Sequence, residues 1–266
     1  MRKNDDRNAK LRLHGIYGGL AGWGGMVQPN IMQDRLQDLF PVHYRNGNIL
    51  MINADCMEVM KHIQDNEVEL SCVDPPYGIG EDGGVFRGRK GQGHRVLEKK
   101  NWDNERPTKE YFRELKRVSK NQIVWGANHL CDLFPANSQG WIYWDKMMGG
   151  DFSDGELAFS SFDTALRSFR FCNKYHGKIH PTEKPPELYK WLLSRYAKPG
   201  DKILDTHGGS GSICIACHDL GYDLTWMEKD ADYYEAACKR YKDHAAQAFL
   251  FEPKETGKDS SAELFE

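Results

Sequence analysis

The chain has 266 residues, with 36 Lys and Arg against 39 Asp and Glu, which gives a formal net charge of −3. This balance excludes a strongly basic nucleic-acid coat protein, but it does not exclude a nucleic-acid partner, because charge acts locally. Hydrophobic residues make up 39% of the chain, which suffices for a packed core, and no apolar run is long enough to span a membrane.

The two ends of the chain and its cysteines point to an intracellular protein. Seven cysteines spread over a long chain are not the pattern of a small secreted disulfide domain. The basic N-terminus is followed by glycines rather than by an apolar signal segment, so we expect a cytoplasmic location. Residues 1–47 are predicted to be an N-terminal extension of flexible character, and residues 252–266 a polar C-terminal tail.

From residue 48 the chain alternates short apolar runs with amphipathic stretches. The predicted strands are residues 49–52, 68–73, 122–125, 141–144, 166–171, 202–205 and 224–227. The predicted helices are residues 56–63, 111–118, 185–196, 212–220 and 231–241. Residues 78–101, rich in Gly, Lys and Arg, are predicted to be a mobile loop. The alternation predicts an α/β domain over residues 48–251 with a mainly parallel, twisted sheet, whose ligands bind at the carboxyl ends of the strands.

A glycine-containing loop lies between the predicted strand 202–205 and the predicted helix 212–220. Gly209 and Gly211, on either side of Ser210, allow the backbone to approach a ligand closely. Glu228 follows Gly209 by 19 positions, the spacing at which an acid holds a ribose diol. The third glycine of a dinucleotide site is missing, and Asp205 at the strand tip would repel a pyrophosphate but suits a sulfonium. The pattern favours S-adenosylmethionine over NAD, and a ligand-free glycine turn is the alternative.

The tetrapeptide Asp74-Pro75-Pro76-Tyr77 directly follows the predicted strand 68–73. The Asp74 carboxylate and the Pro75 carbonyl can each accept a hydrogen bond from one amino group, and Tyr77 offers a face for stacking a planar base. Two acceptors on the amino hydrogens favour a tetrahedral nitrogen and free its lone pair for attack. The alternative is a Pro-Pro turn that only ends a strand.

This tetrapeptide resembles the catalytic motif of the DNA amino-methyltransferases. The segment His180-Pro181-Thr182-Glu183-Lys184-Pro185 and the loop 204–211 resemble the cofactor-binding half of the same family. The catalytic motif precedes Asp205 by 131 positions, and this circularly permuted order resembles the beta class. The likeness covers residues 48–246 and implies a Rossmann-like fold of the S-adenosylmethionine-dependent methyltransferases.

The resemblance also implies roles for individual residues. The catalytic residues implied are Asp74, Pro75 and Tyr77. The cofactor-binding residues implied are Asp55, Thr182, Lys184, Asp205, Gly209, Ser210, Gly211 and Glu228. No metal site is implied. The loop departs from the family's usual D-P-F-x-G-S-G at Thr206 and His207, beside the expected cofactor.

The activity implied is site-specific transfer of a methyl group from S-adenosylmethionine to N6 of adenine in double-stranded DNA, with the target base flipped out. Such an enzyme belongs to a bacterial or phage-infected cell and is typical of restriction-modification systems. N4 of cytosine is the alternative target, and a catalytically idle DNA-binding protein is the alternative from another class. A homodimer is left open, and no membrane partner is expected.

A basic segment follows the catalytic tetrapeptide. Residues 78–120 contain 12 Lys and Arg against 7 acids, whereas residues 252–266 contain 2 against 5. We expect target recognition within residues 78–178 and a loop that closes over DNA phosphates, although a solvated charged loop would show the same composition. The candidate DNA-contacting residues are Arg87, Arg89, Lys90, Arg95 and Trp102.

Overall fold

Strands and helices alternate through the computed structural model, which describes residues 29–86, 95–97, 99–135, 138–147, 153–172 and 178–250. The helices are α1 (Ile31–Leu39), α2 (Cys56–Met60), α3 (Lys109–Val118), α4 (Pro186–Tyr196), α5 (Ser212–Leu220) and α6 (Ala231–Leu250). The strands are β1 (His43–Asn46), β2 (Ile49–Asn53), β3 (Val68–Val73), β4 (Gly84–Phe86), β5 (Arg95–Leu97), β6 (Ser119–Trp125), β7 (Ile142–Asp145), β8 (Gly155–Ser160), β9 (Arg167–Arg170), β10 (Lys202–Asp205) and β11 (Asp223–Glu228).

Within the described part of the chain, nine strands form one sheet in the order β1-β2-β11-β10-β3-β6-β8-β7-β9. The central strands β2, β11, β10, β3 and β6 are all parallel, while β1 and β8 pair antiparallel with their central neighbours. Strand β7 is antiparallel to β8 and parallel to β9. The predicted α/β architecture with a mainly parallel sheet is confirmed. Because β3 and β10 are adjacent, the segments that follow them emerge side by side.

The core occupies both faces of the sheet. Along β2, Ile49 and Met51 belong to one buried cluster, and Leu50 and Ile52 belong to the other. This alternation is the expected result of a strand whose successive side chains point to opposite faces. Helices α4, α5 and α6 cover the first face, and helices α1, α2 and α3 cover the second.

The structure corrects the predicted start of the domain. Strand β1 pairs antiparallel with β2, and α1 buries Met32 and Leu36 in the core, so the domain begins before residue 48. These elements escaped prediction because their polar residues interrupt the apolar pattern. Residues 1–28 of the predicted extension and the predicted tail 252–266 lie outside the described residues.

Three further strands differ from the sequence-based expectation. Strand β8 was not predicted, because Gly155 and Glu156 open it and break its apolar run. Strands β4 and β5 pair antiparallel within the segment predicted as a loop. Among the described helices, none combines the length and the apolar character that crossing a membrane requires.

Helix α1 is attached to the sheet by a buried amide. The Gln33 side-chain nitrogen donates to the backbone oxygens of Asn48 at 3.0 Å and Leu224 at 2.9 Å. Asn48 directly precedes β2, and Leu224 lies in the neighbouring strand β11. One side chain therefore joins the helix to both strands.

We expect the substitution Gln33→Leu to lower the free energy of unfolding by about 1–3 kcal/mol, because it removes the donor from two carbonyls in a buried setting. Urea denaturation followed by circular dichroism measures the change. Gln37→Leu on the same helix is the matched control, since Gln37 is only half-buried and accepts from Arg45 instead. Equal unfolding midpoints for the two variants would contradict this role of Gln33.

Candidate active site

A cleft of about 1440 Å³ opens where strands β3, β10 and β11 end. Its volume exceeds the roughly 300–1,000 Å³ of a typical small-molecule pocket, so it can accommodate more than one ligand group. The predicted site residues that line it are Asp55, Asp74, Pro75, Tyr77, Trp102, Thr182, Lys184, Gly209, Ser210 and Glu228.

Asp205 and Gly211 do not line the cleft but support its floor. Asp205 is 2% exposed, and its Oδ1 accepts a hydrogen bond from the His207 backbone nitrogen at 3.1 Å. Gly211 precedes α5 in the left-handed conformation at φ +68°, where an added Cβ would lie 3.1 Å from the Ala237 Cβ. Both residues therefore shape the loop between β10 and α5.

The candidate DNA-contacting residues are distributed differently. The Trp102 ring lies 5.1 Å from the ring of His180, on the wall of the cleft. Arg95 belongs to β5, of which the backbone is described. Arg87, Arg89 and Lys90 lie outside the described residues.

The Asp74 carboxylate is held by two donors at the end of β3. Its Oδ1 accepts from the Tyr77 hydroxyl at 2.5 Å, and its Oδ2 accepts from Lys184 Nζ at 2.5 Å. Lys184 is 1% exposed by its side chain and also lies 2.9 Å from Glu156 Oε2. Glu156 Oε1 in turn lies 2.5 Å from Lys146 Nζ. Four of these residues alternate in charge in the order Lys146, Glu156, Lys184 and Asp74, and they are here called the charge row.

The charge row sets the protonation of its members. Burial raises the pKa of Asp74, while Lys184 opposes this and Glu156 adds to it. Burial alone would lower the pKa of Lys184, but Asp74 and Glu156 outweigh it and raise that pKa. Burial would raise the pKa of Glu156, but Lys184 and Lys146 lower it to about 2. Lys184 and Glu156 are thus both charged at neutral pH.

The Tyr77 ring is fixed against the end of β6. An added Cβ at Gly126 would lie 1.9 Å from Tyr77 Cε1, and Gly126 has φ +67°, so only glycine fits there. The His129 ring stacks on the Tyr77 ring at 5.3 Å, with an angle of 13° between the planes. Burial and the Asp74 charge raise the pKa of the Tyr77 hydroxyl well above its usual value, which keeps it a donor.

Asp103 organises the turn after the tetrapeptide. It is 2% exposed, and its Oδ1 accepts from the backbone nitrogens of Tyr77 at 2.6 Å and Gly78 at 2.9 Å. Its Oδ2 accepts from the Glu81 nitrogen at 2.9 Å. Sequence reasoning missed Asp103, although its neighbour Trp102 had been singled out. Three backbone donors on one carboxylate fix the shape of this part of the cleft.

The glycine loop is attached to the end of β11. Glu228 Oε2 accepts from the Gly209 nitrogen at 2.8 Å, and Oε1 accepts from the Asp230 nitrogen at 2.8 Å. Gly209 has φ +52°, and an added Cβ at Gly208 would lie 1.8 Å from Trp226 Cε2. The loop backbone therefore lies directly on the Trp226 side chain, with no room for other residues at position 208.

The remaining predicted cofactor residues hold the sides of the cleft. Asp55 caps α2, with Oδ1 accepting from the Met57 nitrogen at 2.9 Å, and its Oδ2 lies 2.9 Å from Lys229 Nζ. The Thr182 hydroxyl lies 3.2 Å from His180 Nδ1. Each of these side chains is positioned by a local contact and keeps a place on the cleft surface.

Thr206 and His207, where the loop differs from the usual motif of the resembled family, contact Tyr111 of α3. The Tyr111 hydroxyl lies 2.7 Å from Thr206 Oγ1, which lies 2.9 Å from His207 Nδ1. The Tyr111 and His207 rings meet edge to face at 5.1 Å. Burial lowers the pKa of His207 to about 4, so a neutral aromatic ring lines the cleft where the resembled family has Phe.

Asp205 is a buried acid whose ionisation is unfavourable. Burial raises its pKa to about 8, the bond from His207 opposes this, and the carboxylates of Asp74 and Glu228 add to it. A cationic group bound in the cleft would relieve this repulsion and favour the ionised carboxylate.

Comparison with known proteins finds similarity to DNA methyltransferases. The family described as DNA methylase (N6_N4_Mtase) matches residues 124–239. The type II methyltransferase M.HpaI of Haemophilus parainfluenzae is 22% identical over 234 residues, covering 71% of this chain and 73% of that protein. The type II methyltransferase M2.MboI of Moraxella bovis is 24% identical over 260 residues, covering 78% of this chain and 92% of that protein.

Solved structures share the fold. A complex of M1.HpyAVI with S-adenosylmethionine superposes with a TM-score of 0.50 at 18% identity, covering 72% of this chain and 99% of that one. The cytosine-N4-specific PvuII DNA methyltransferase superposes with a TM-score of 0.53 at 13% identity, covering 80% and 97%. The predicted methyltransferase fold is confirmed. Together the comparisons show that this chain is similar to DNA methyltransferases of the N6-adenine/N4-cytosine type, the family that the motifs resemble.

We expect Asp205→Asn to stabilise the ligand-free protein relative to wild type as the pH rises from 6.5 to 8. The folded-state pKa of Asp205 is raised, so its ionisation opposes folding with rising pH, at a cost on the order of 1 kcal/mol per pH unit. His180 and His207 have lowered pKa values of about 3 and 4, and because both proteins contain them, their contribution cancels in the difference between the variant and the wild type. Urea denaturation across the window measures the difference.

The exposed Asp38→Asn on α1 is the control for this series, and its curve should stay parallel to that of the wild type. A pH-independent difference between Asp205→Asn and wild type would contradict a buried, destabilising carboxylate at this position.

We expect Asp103→Asn to lower the free energy of unfolding by about 1–3 kcal/mol, because an amide group replaces an acceptor that faces backbone N–H groups. The same variant should expose the turn that carries residues 77–81. Hydrogen exchange at the backbone amides of Tyr77, Gly78 and Glu81 checks this directly. Unchanged protection of these three amides would show that Asp103 does not hold the turn.

Proposed function

We propose that this chain methylates N6 of adenine in double-stranded DNA, with S-adenosylmethionine as the methyl donor. The observation that carries the proposal is the Asp74 carboxylate on the cleft surface, next to Tyr77 and on the same cleft as the loop at Gly209. A carboxylate and an adjacent carbonyl are suited to an amino group, and the loop is suited to an adenosine-containing ligand.

The cleft suits S-adenosylmethionine by its chemistry. Asp55, Glu228 and Asp230 line the cofactor half, and burial raises the pKa of Glu228, which favours a hydroxyl or cationic partner. The left-handed backbone at Gly209 lets the ligand approach the main chain. Glu228 would hold the ribose hydroxyls, and Thr182 and Lys184 would lie at the methionine end. When bound, S-adenosylmethionine supplies an electrophilic methyl group on a sulfonium sulfur.

The residues around Asp74 are suited to activate an aromatic amine. Asp74 and the Pro75 carbonyl accept the two amino hydrogens, which favours a tetrahedral nitrogen with an available lone pair. Positive charge develops on this nitrogen as it gains a fourth bond, and the Asp74 carboxylate stabilises that charge and takes the released proton. Tyr77, fixed by Gly126 and His129, provides the flat surface beside the base.

The choice of adenine rests on Asp74 as the first residue of the tetrapeptide, which the family resemblance associates with N6 of adenine. We also propose contact between DNA phosphates and the basic segment through Arg87, Arg89, Lys90 and Arg95. Trp102 is not among these phosphate contacts, because its ring lies against His180 inside the cleft. A cytoplasmic location is a further part of the proposal.

The purified chain should transfer tritiated methyl groups from S-adenosylmethionine to plasmid DNA that lacks methylated adenine, and mass spectrometry of the digested DNA should identify N6-methyladenine. Asp74→Ala should lower kcat by about 10²–10⁴-fold, because it removes the acceptor of an amino hydrogen. Its Kd for S-adenosylmethionine, measured by calorimetry, should change by less than about threefold.

The exposed variant Asp38→Asn is the control and should keep full activity. N4-methylcytosine in the digest would identify cytosine, and not adenine, as the target base. Cofactor and DNA binding without any transfer would identify an idle DNA-binding protein, and full activity of Asp74→Ala would overturn the catalytic assignment.

A further inference from the structure

Glu156 is an acid in the cleft, with its side chain 18% exposed, to which the sequence motifs give no role. It lies on β8, which is outside the three motifs, and it lines the cleft together with Asp74 and Lys184. Each of its two carboxylate oxygens faces a different ammonium, at 2.5 Å for Lys146 and 2.9 Å for Lys184.

The position of Lys184 creates a requirement for this acid. The Lys184 side chain is 1% exposed, and its Nζ lies 2.5 Å from Asp74 Oδ2. A buried charge is costly unless it is paired, so an ammonium with a single counter-ion would bind that counter-ion tightly. Asp74 would then be committed to Lys184 when an amino group must be bound.

The second carboxylate changes this balance. With Glu156 at 2.9 Å, Lys184 keeps a counter-charge, which it shares with Lys146, even when Asp74 turns towards another donor. Within the described residues, the Tyr77 hydroxyl is the other side chain that donates a hydrogen bond to Asp74. The second lysine, Lys146, holds Glu156 on its other oxygen and fixes the carboxylate between the two ammonium groups.

On the basis of the proposed function, we propose that Glu156 is a positioning residue for methyl transfer: it holds Lys184 by a charge of its own and thereby leaves the Asp74 carboxylate available to the amino group of the target base. Lys146 is the partner that anchors Glu156 in this arrangement.

The groups that act on Asp74 come from several elements. They are Lys184 before α4, Glu156 on β8, Tyr77 after β3, Cys72 on β3, Tyr189 on α4, Tyr111 on α3 and Asp205 on β10. Cys72 and the three tyrosines have pKa values raised well above their usual range, and so they stay neutral through the pH range of the test. Asp205, with a pKa of about 8, changes charge within that range and affects all variants alike.

The test compares Glu156→Gln, Glu156→Asp and Lys146→Met with the wild type in methyl transfer to plasmid DNA as a function of pH. Glu156→Gln removes the negative charge but keeps the shape, so kcat should fall about 10–100-fold. The acid limb of its kcat profile should move to lower pH by at least about half a unit, because Lys184 then acts on Asp74 without opposition. Glu156→Asp should restore the wild-type limb.

Lys146→Met should move the acid limb in the opposite direction, to higher pH, because the charge of Glu156 is then no longer shared. Calorimetric Kd values for S-adenosylmethionine should stay within about threefold for all variants. Glu58→Gln, an exposed acid on α2 paired with Lys61, is the matched control and should leave both kcat and the limb unchanged.

The outcomes separate the two proposals. A wild-type chain that transfers no methyl group to DNA contradicts the proposed function itself. A transferring wild type with equal acid limbs in Glu156→Gln and Lys146→Met overturns the role of Glu156, as does a loss of kcat that Glu156→Asp fails to restore. If Glu156→Gln does not fold, the upward shift in Lys146→Met and the unshifted limb of Glu156→Asp decide the question.

Discussion

The architecture of the cleft depends on the ion pairs that the buried Lys184 forms with Asp74 and Glu156. Lys184 joins the segment before α4 to Asp74 after β3 and to Glu156 on β8, three parts of the chain that are distant in sequence. Because its side chain is 1% exposed, water cannot stabilise its charge, and the two carboxylates must do so. The positions of β3 and β8, on either side of β6 in the sheet, bring these acids to the same end of the strands.

The half of the cleft around the glycine loop is held together differently, by close backbone packing. Gly208 lies against Trp226, and the Glu228 carboxylate accepts from the Gly209 nitrogen at 2.8 Å. Here a side chain fixes a main-chain loop, whereas around Asp74 side chains fix one another. The unit of Tyr111, Thr206 and His207 then supplies a neutral ring without the phenylalanine of the resembled family.

The two halves meet through the segment that follows β5. Lys100 forms ion pairs with Asp230 and Asp232 at the start of α6, while Asp103 holds the turn after Tyr77. A short stretch of chain therefore contacts both the part of the cleft next to Glu228 and the part next to Asp74. The basic composition of residues 78–120 indicated DNA contact. Within the described residues, however, part of that positive charge, such as Lys100, is bound in ion pairs inside the protein.

The sequence by itself determined the alternation of strands and helices, the tetrapeptide at Asp74 and the glycine loop, because these depend on residues that are close together in the chain. Only the tertiary structure decided the roles of Glu156, Lys146 and Asp103, since an isolated acid or lysine carries no periodic signal and its partner lies on another element. The structure also decided that Asp205 is buried below the loop. Its exposure depends on how β10 packs between β3 and β11, and no local pattern reports that packing.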